Sequence, residues 1–293
     1  MKPLDLVRLP PLMALTEGTP QIDVALLDGP VLRENSELAI ENMHRLQAKP
    51  GLFEPSHGAA SRHGTFIAGI LAARRGRTAP AICPNCTFLI RPVFADASAG
   101  DQHPLGTTVD ELASAILESI NAGARIINLS VGSTYPSTAR QPRLRAVLDY
   151  AAERGVLIVA AAGNQGTLGT SVLTRHPWVL PVAAVNLDGR PSGHTNLAHA
   201  LGKRGVSGPG EKIMSLGING DLSPTSGGTS VAAAFVTGAA ALLWSLFPSA
   251  DAADIKNAVL GGRGTHRSSV VPPLLDAWGA YSLLLETRSR RAS

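Results

Sequence analysis

The chain has 293 residues, 44% of them apolar and 16% charged, with 30 Gly and 21 Pro, a balance that excludes intrinsic disorder. A net charge of +4, with no basic stripe interleaved with aromatics, argues against nucleic-acid binding. No early stretch joins a basic start to an apolar run and a small-residue cleavage site, so no secretory leader is expected.

Residues 1–20, with Pro10, Pro11 and Pro20, read as an extended lead-in. Val24–Leu27 is the first apolar run and stops at Asp28, ahead of Gly29-Pro30. Arg33–Arg62 is polar and contains Pro50 and Pro55, which reads as an irregular connection around one short helix. Thr65–Ala73, Val109–Ala122 and Leu144–Arg154 carry helical patterns, the last stopped by Gly155. Phe88–Val93, Ile126–Val131, Val156–Ala161 and Val179–Val185 are the other strand candidates. Continuous apolar runs without alternation indicate strands covered on both faces, as in a parallel sheet. Strands alternating with helices of this length give an α/β fold, a doubly wound, mostly parallel sheet flanked by helices.

Val231–Phe247 is nearly all apolar but falls short of the ~20 residues that span a bilayer, so it reads as a buried core helix and no membrane partner is expected. No internal repeat or linker divides the chain. One domain over 21–285 follows, with the basic end, 286–293, expected to fray. Nothing in the sequence specifies an oligomeric state.

Ligands of open parallel sheets collect outside the carboxyl ends of the strands. Asp28 stands at such an end, as a turn or cap residue or as a functional carboxylate. His63, in SRHGTFIAG, stands at the front of a small-residue helix, either incidental or a base. Asn164, in AAAGNQG, ends the strand Val156–Ala161 and is either a turn residue or a donor into the crevice. Ser230, behind Gly-Gly-Thr, opens the long apolar helix as a cap or as a nucleophile. Asp, His and Ser in this chain order match one of the known routes to a serine-protease triad.

VALLDGP, HGTFIAG, AAAGNQG and GTSVAAAFVTGAAALL together resemble the motifs of the subtilisin-like serine proteases, over roughly residues 20–260. The DGPV form of the first motif is similar to bacterial members that process peptide precursors. This resemblance implies a subtilisin-like fold and a serine endopeptidase acting on a peptide or protein. Asp28, His63 and Ser230 would be catalytic, and Asn164 with the Ser230 backbone N–H would form the oxyanion hole. INLSVG would align substrate along Ser130, Val131 and Gly132, while Gly163 and Gln165 would line the first specificity pocket. The neutral Gln165 gives no reason for a strongly charged preference there.

Phe66 replaces the His usual after HGT, and Ala234 replaces the Pro usual after the nucleophile; neither position does the chemistry. Secreted members often carry a calcium loop after the His helix. Here AARRGRTAP offers Arg74, Arg75 and Arg77 and no carboxylate, so no metal or other cofactor is expected there. Cys83 and Cys86 form CPNC before a strand, with no second Cys pair for zinc, and read as reduced thiols or a local disulfide. Without a leader, reduced thiols fit a cytoplasmic address. Two further readings are a silent subtilase-shaped peptide-binding module and a thiol oxidoreductase. Ser230 lacks the GxSxG elbow of an α/β-hydrolase.

Overall fold

A computed structural model describes residues 1–32, 36–47, 57–77, 79–96, 107–131, 141–218, 222–224, 227–262 and 269–292. In chain order its first half contains α1 (Pro3–Leu6), α2 (Leu9–Leu15), β1 (Asp23–Asp28), β2 (Met43–Arg45), α3 (Ala59–Ala72), β3 (Thr87–Pro92), α4 (Val109–Asn121) and β4 (Ile126–Leu129). There follow α5 (Pro142–Glu153), β5 (Leu157–Ala161), α6 (Val172–Arg175), β6 (Leu180–Val185), α7 (His199–Arg204) and β7 (Val206–Pro209). The chain continues with β8 (Met214–Leu216), β9 (Leu222–Pro224), α8 (Thr229–Leu246), α9 (Ala252–Val259) and α10 (Ala277–Ala292).

Seven strands pair in the order β2-β3-β1-β4-β5-β6-β7, all parallel, and β8 and β9 form a separate antiparallel pair. The apolar runs become strands because both faces are covered. Val24 and Leu26 enter one core with α3 and α8, while Ala25 and Leu27 enter the other with α4 and α5. A side chain on either face meets hydrocarbon, so alternation has no polar partner to reveal it.

The apolar segment behind Ser230 is α8. Its 18 residues would be long and apolar enough to cross a membrane, but 89% of that span is buried in the protein. Small residues let it run through the middle: a Cβ on Gly238 would sit 2.6 Å from Ile82. Polar atoms on this path are matched. Thr237 Oγ1 donates to Asn128 Oδ1 at 2.9 Å, and Asn128 Nδ2 donates to Ser130 Oγ at 3.0 Å.

Several expectations change. The lead-in, 1–20, is not extended. Pro3, Pro10 and Pro11 sit in the first turns of α1 and α2, where the missing N–H breaks no helical bond, and Pro20 lies beyond them in a turn. Leu9 and Leu12 are buried, and the Ala277 N–H donates to the Val7 carbonyl. Arg8 grips Asp276 at 3.1 and 2.8 Å, which fastens the segment before β1 to the start of α10. Instead of fraying from 286, α10 continues to Ala292. Within Arg33–Arg62, the described part holds a 3-10 turn at Ile40–Asn42 and the edge strand β2; Pro50 and Pro55 lie outside the described residues. Cys83 and Cys86 are buried, unbridged thiols.

Candidate active site

The strand order turns back between β1 and β4, because the chain lays β2 and β3 on one side of β1 and then crosses to its other side with β4. A crevice opens at the carboxyl ends of strands at such a point. Asp28 closes β1, Ser130 follows β4, and Asn164 follows β5, so these residues share one rim.

His63, expected at the front of a helix over Thr65–Ala73, is the fifth residue of α3, which already begins at Ala59. The helix is anchored from outside: Asp96, beyond β3, accepts from the Ala60 N–H at 2.7 Å and the Ser61 N–H at 3.1 Å. A carboxylate over these otherwise unpaired N–H groups also favours the helix dipole. Gly64 presses α3 against the loop after β1, where an added Cβ would lie 2.3 Å from the Gly29 carbonyl oxygen. Gly64→Ala is therefore expected to destabilise the fold by about 1–3 kcal/mol, overriding the ~1 kcal/mol by which Ala favours a helix. A urea melt checks it, and a midpoint at or above that of the parent chain refutes the close packing.

His63 Nδ1 meets Asp28 Oδ1 at 2.6 Å, and the same oxygen accepts from the Gly29 N–H at 2.6 Å. A carboxylate only accepts, so Nδ1 carries the hydrogen and neutral His63 keeps Nε2 as its basic lone pair. The Asp28 side chain is 2% exposed, whereas 42% of the His63 side chain remains open. Burial pushes the imidazole down. The charge and hydrogen bond of Asp28 more than reverse this, leaving it above its ordinary 6.5.

Ser230 is not a cap. Gly228 holds the N-cap position of α8, and the Ser230 hydroxyl donates to the Ser130 carbonyl at 3.1 Å. No hydrogen bond joins Ser230 to His63 among the described residues. The three groups are nonetheless chained at the rim. The Ser130 N–H donates to the Leu27 carbonyl at 3.3 Å, one residue before Asp28, while its own carbonyl holds Ser230. The Ser230 N–H lies in the first helical turn, where such groups have no partner within the helix.

Asn164 is gripped by its oxygen: Oδ1 accepts from the Thr229 N–H at 2.9 Å and from Thr229 Oγ1 at 3.0 Å. A backbone N–H identifies the facing atom as oxygen, so Nδ2 is left as the free donor pair. Thr229 Oγ1 in turn accepts from the Gly163 N–H at 3.0 Å. Gly163 is buried, with φ +105, while Asn164 and Gln165 are exposed. Ser130 and Val131 are buried beside β4, and Gly132 lies outside the described residues. Sequence reasoning missed Thr229 and Asp96 as supports. Thr229 had a signal, being wedged between two glycines and Ser230; Asp96 had none, because its target lies 36 residues upstream.

The Subtilase family (Peptidase S8) profile matches residues 24–263. Mycosin-3 of Mycobacterium tuberculosis is 30% identical over 261 residues, covering 71% of this chain and 56% of that protein. A thermostable alkaline protease of Halalkalibacterium halodurans is 30% identical over 197 residues, covering 67% and 50%. The chain thus spans about half the length of these curated relatives. Among solved structures, an alanine mutant of the protease domain of PatA superposes with TM-score 0.83 at 30% identity, over 92% of this chain and 97% of that one. The prenylagaramide maturation protease PagA gives 0.80 at 32% identity, over 94% and 98%. Profile, fold and rim geometry agree: this chain belongs to the Subtilase family.

Proposed function

We propose that the chain is a serine endopeptidase that cuts a peptide or protein precursor in the cytoplasm through an acyl-enzyme. The observation that carries this is the 2.6 Å Asp28–His63 bond, set on the same rim as Ser230. Ser230 Oγ attacks the scissile carbonyl while His63 Nε2 takes its proton, and Asp28 holds the imidazole and the imidazolium that forms. The negative oxygen settles between Asn164 Nδ2 and the Ser230 N–H. The amine leaves with the proton from His63, and water then releases the acyl group. Ser230 first has to leave the Ser130 carbonyl; catalytic hydrogen bonds commonly close only around substrate.

Substrate lies extended along Ser130, Val131 and Gly132, with Gly163 and Gln165 at the first pocket. Similarity to maturation proteases such as PagA supports a precursor as substrate. The buried, unbridged Cys83 and Cys86 support a reducing compartment.

One observation favours a second reading, a silent peptide-binding groove: the Ser230 hydroxyl is bonded to Ser130 and not to His63. A fluorophosphonate probe decides between them. Labelling of the wild-type chain at Ser230 supports the enzyme, and an unlabelled wild type establishes the silent groove.

The acid limb follows from His63, which must be neutral to act. Its raised value places the midpoint of kcat/KM above pH 6.5, with activity rising toward neutral pH. Stability runs the opposite way. The imidazolium–Asp28 pair adds stability fully below 6.5 and loses it as pH climbs through the raised folded value. A pH–rate profile with its midpoint at or below 6.5 would contradict this assignment.

A further inference from the structure

Asn196 lies 32 residues beyond Asn164 in sequence, is only 5% exposed, and spends its whole side chain on the turn after β5. Its Oδ1 accepts from the Gln165 N–H, the Thr167 N–H and Thr167 Oγ1, each at 3.1 Å. Its Nδ2 donates to Gln165 Oε1 at 2.6 Å and to the Ala162 carbonyl at 3.3 Å, and its backbone N–H donates to the Gly163 carbonyl at 2.9 Å. A Cβ on Gly163 would lie 2.4 Å from that Nδ2, so the turn is shaped around this one amide. All these partners flank Asn164.

The pattern also settles the Gln165 carboxamide. Two backbone N–H groups identify the oxygen of Asn196, so its other end is the donor, and the Gln165 atom facing it is oxygen. The Gln165 amino group is then the end left to solvent on an exposed residue.

We propose that Asn196 is the positioning residue of this crevice: it fixes the turn that presents Asn164, and it orients Gln165 so that an amide N–H2 meets the substrate side chain. The inference rests on the endopeptidase reading above. It adds a substrate class: peptides with an oxygen acceptor (carboxamide, carboxylate or hydroxyl) in the residue entering the first pocket.

The test is a double-mutant cycle in the full chain, read as kcat and KM on a cleaved peptide and as the rate of fluorophosphonate labelling. Asn196→Ala is expected to lower kcat about tenfold at nearly constant KM in the wild-type background, and by less than about twofold in an Asn164→Ala background. Equal losses in both backgrounds, or a loss that tracks a lowered Tm, would overturn the positioning role. Asn196→Asp keeps the acceptors that fold the turn but cannot donate, so Gln165 has to turn its nitrogen inward and its oxygen outward. Library profiling should then move from acceptor-bearing toward donor-bearing side chains such as Lys and Arg, and an unchanged profile overturns the orientation. A wild type that neither labels nor cleaves removes the endopeptidase reading as well. Normal labelling and cleavage with an additive cycle removes this inference alone.

Discussion

Ser230→Ala is expected to reduce peptide hydrolysis by about 10⁶-fold and to abolish fluorophosphonate labelling, with Tm nearly unchanged. That magnitude comes from subtilisin, a member of the same family. The stability half of the expectation comes from this structure. Gly228 supplies the cap of α8, so the Ser230 hydroxyl leaves no unpaired N–H behind when it is removed. Its bond to the Ser130 carbonyl, the one it makes among the described residues, is worth about 0.5–1.5 kcal/mol. If Ser230 served mainly as a cap, the substitution would lower stability by about 1 kcal/mol and leave turnover intact. Turnover of this one variant therefore separates the roles, since the two expected losses of stability are alike in size. Residual cleavage within tenfold of wild type would remove Ser230 as nucleophile.

The second large effect belongs to Asp28→Asn, for which kcat is expected to fall about 10⁴-fold. The carboxylate oxygen that meets His63 also accepts from the Gly29 N–H, and a carboxamide oxygen can keep both bonds. What it cannot supply is charge. Among the described residues Oδ2 of Asp28 is buried without a hydrogen-bond partner, so an amide nitrogen placed there gains no acceptor from them. An Asn can therefore keep its oxygen toward His63 and the Gly29 N–H and lose only the charge, or turn its nitrogen inward, which forces the wrong tautomer and sets that nitrogen against the Gly29 N–H; both arrangements lower the rate. With the carboxylate gone, the influence that raised His63 is lost, and the acid limb of the residual activity should move to lower pH. A limb that stays in place while the rate collapses would show that Asp28 acts through geometry alone.

The sheet was legible because its strands are buried on both sides: the expected runs became β1, β3, β4, β5 and β6, each shifted by a residue or two. The edge strand β2 and the short β7 were not, because Met-His-Arg and Val-Ser-Gly-Pro carry no apolar run, and pairing alone makes them strands. At the amino terminus, prolines were read as breakers, although a proline in a first helical turn costs nothing there. The residues placed on the rim were visible as short motifs at element ends. Their supports were not, since Asp96 and Asn196 act across the fold through single side chains that no local pattern distinguishes.

The acceptor that holds the Ser230 hydroxyl is a main-chain oxygen, and this sets a limit on engineering. No exchange of the side chain at 130 can delete it, so the parked alcohol behaves as a built-in brake common to every variant at that position. Releasing it has to draw on the energy of the incoming peptide. A short peptide with few backbone contacts should be turned over sluggishly even when its reacting bond is ideal, whereas a longer one can spend part of its grip on freeing the nucleophile.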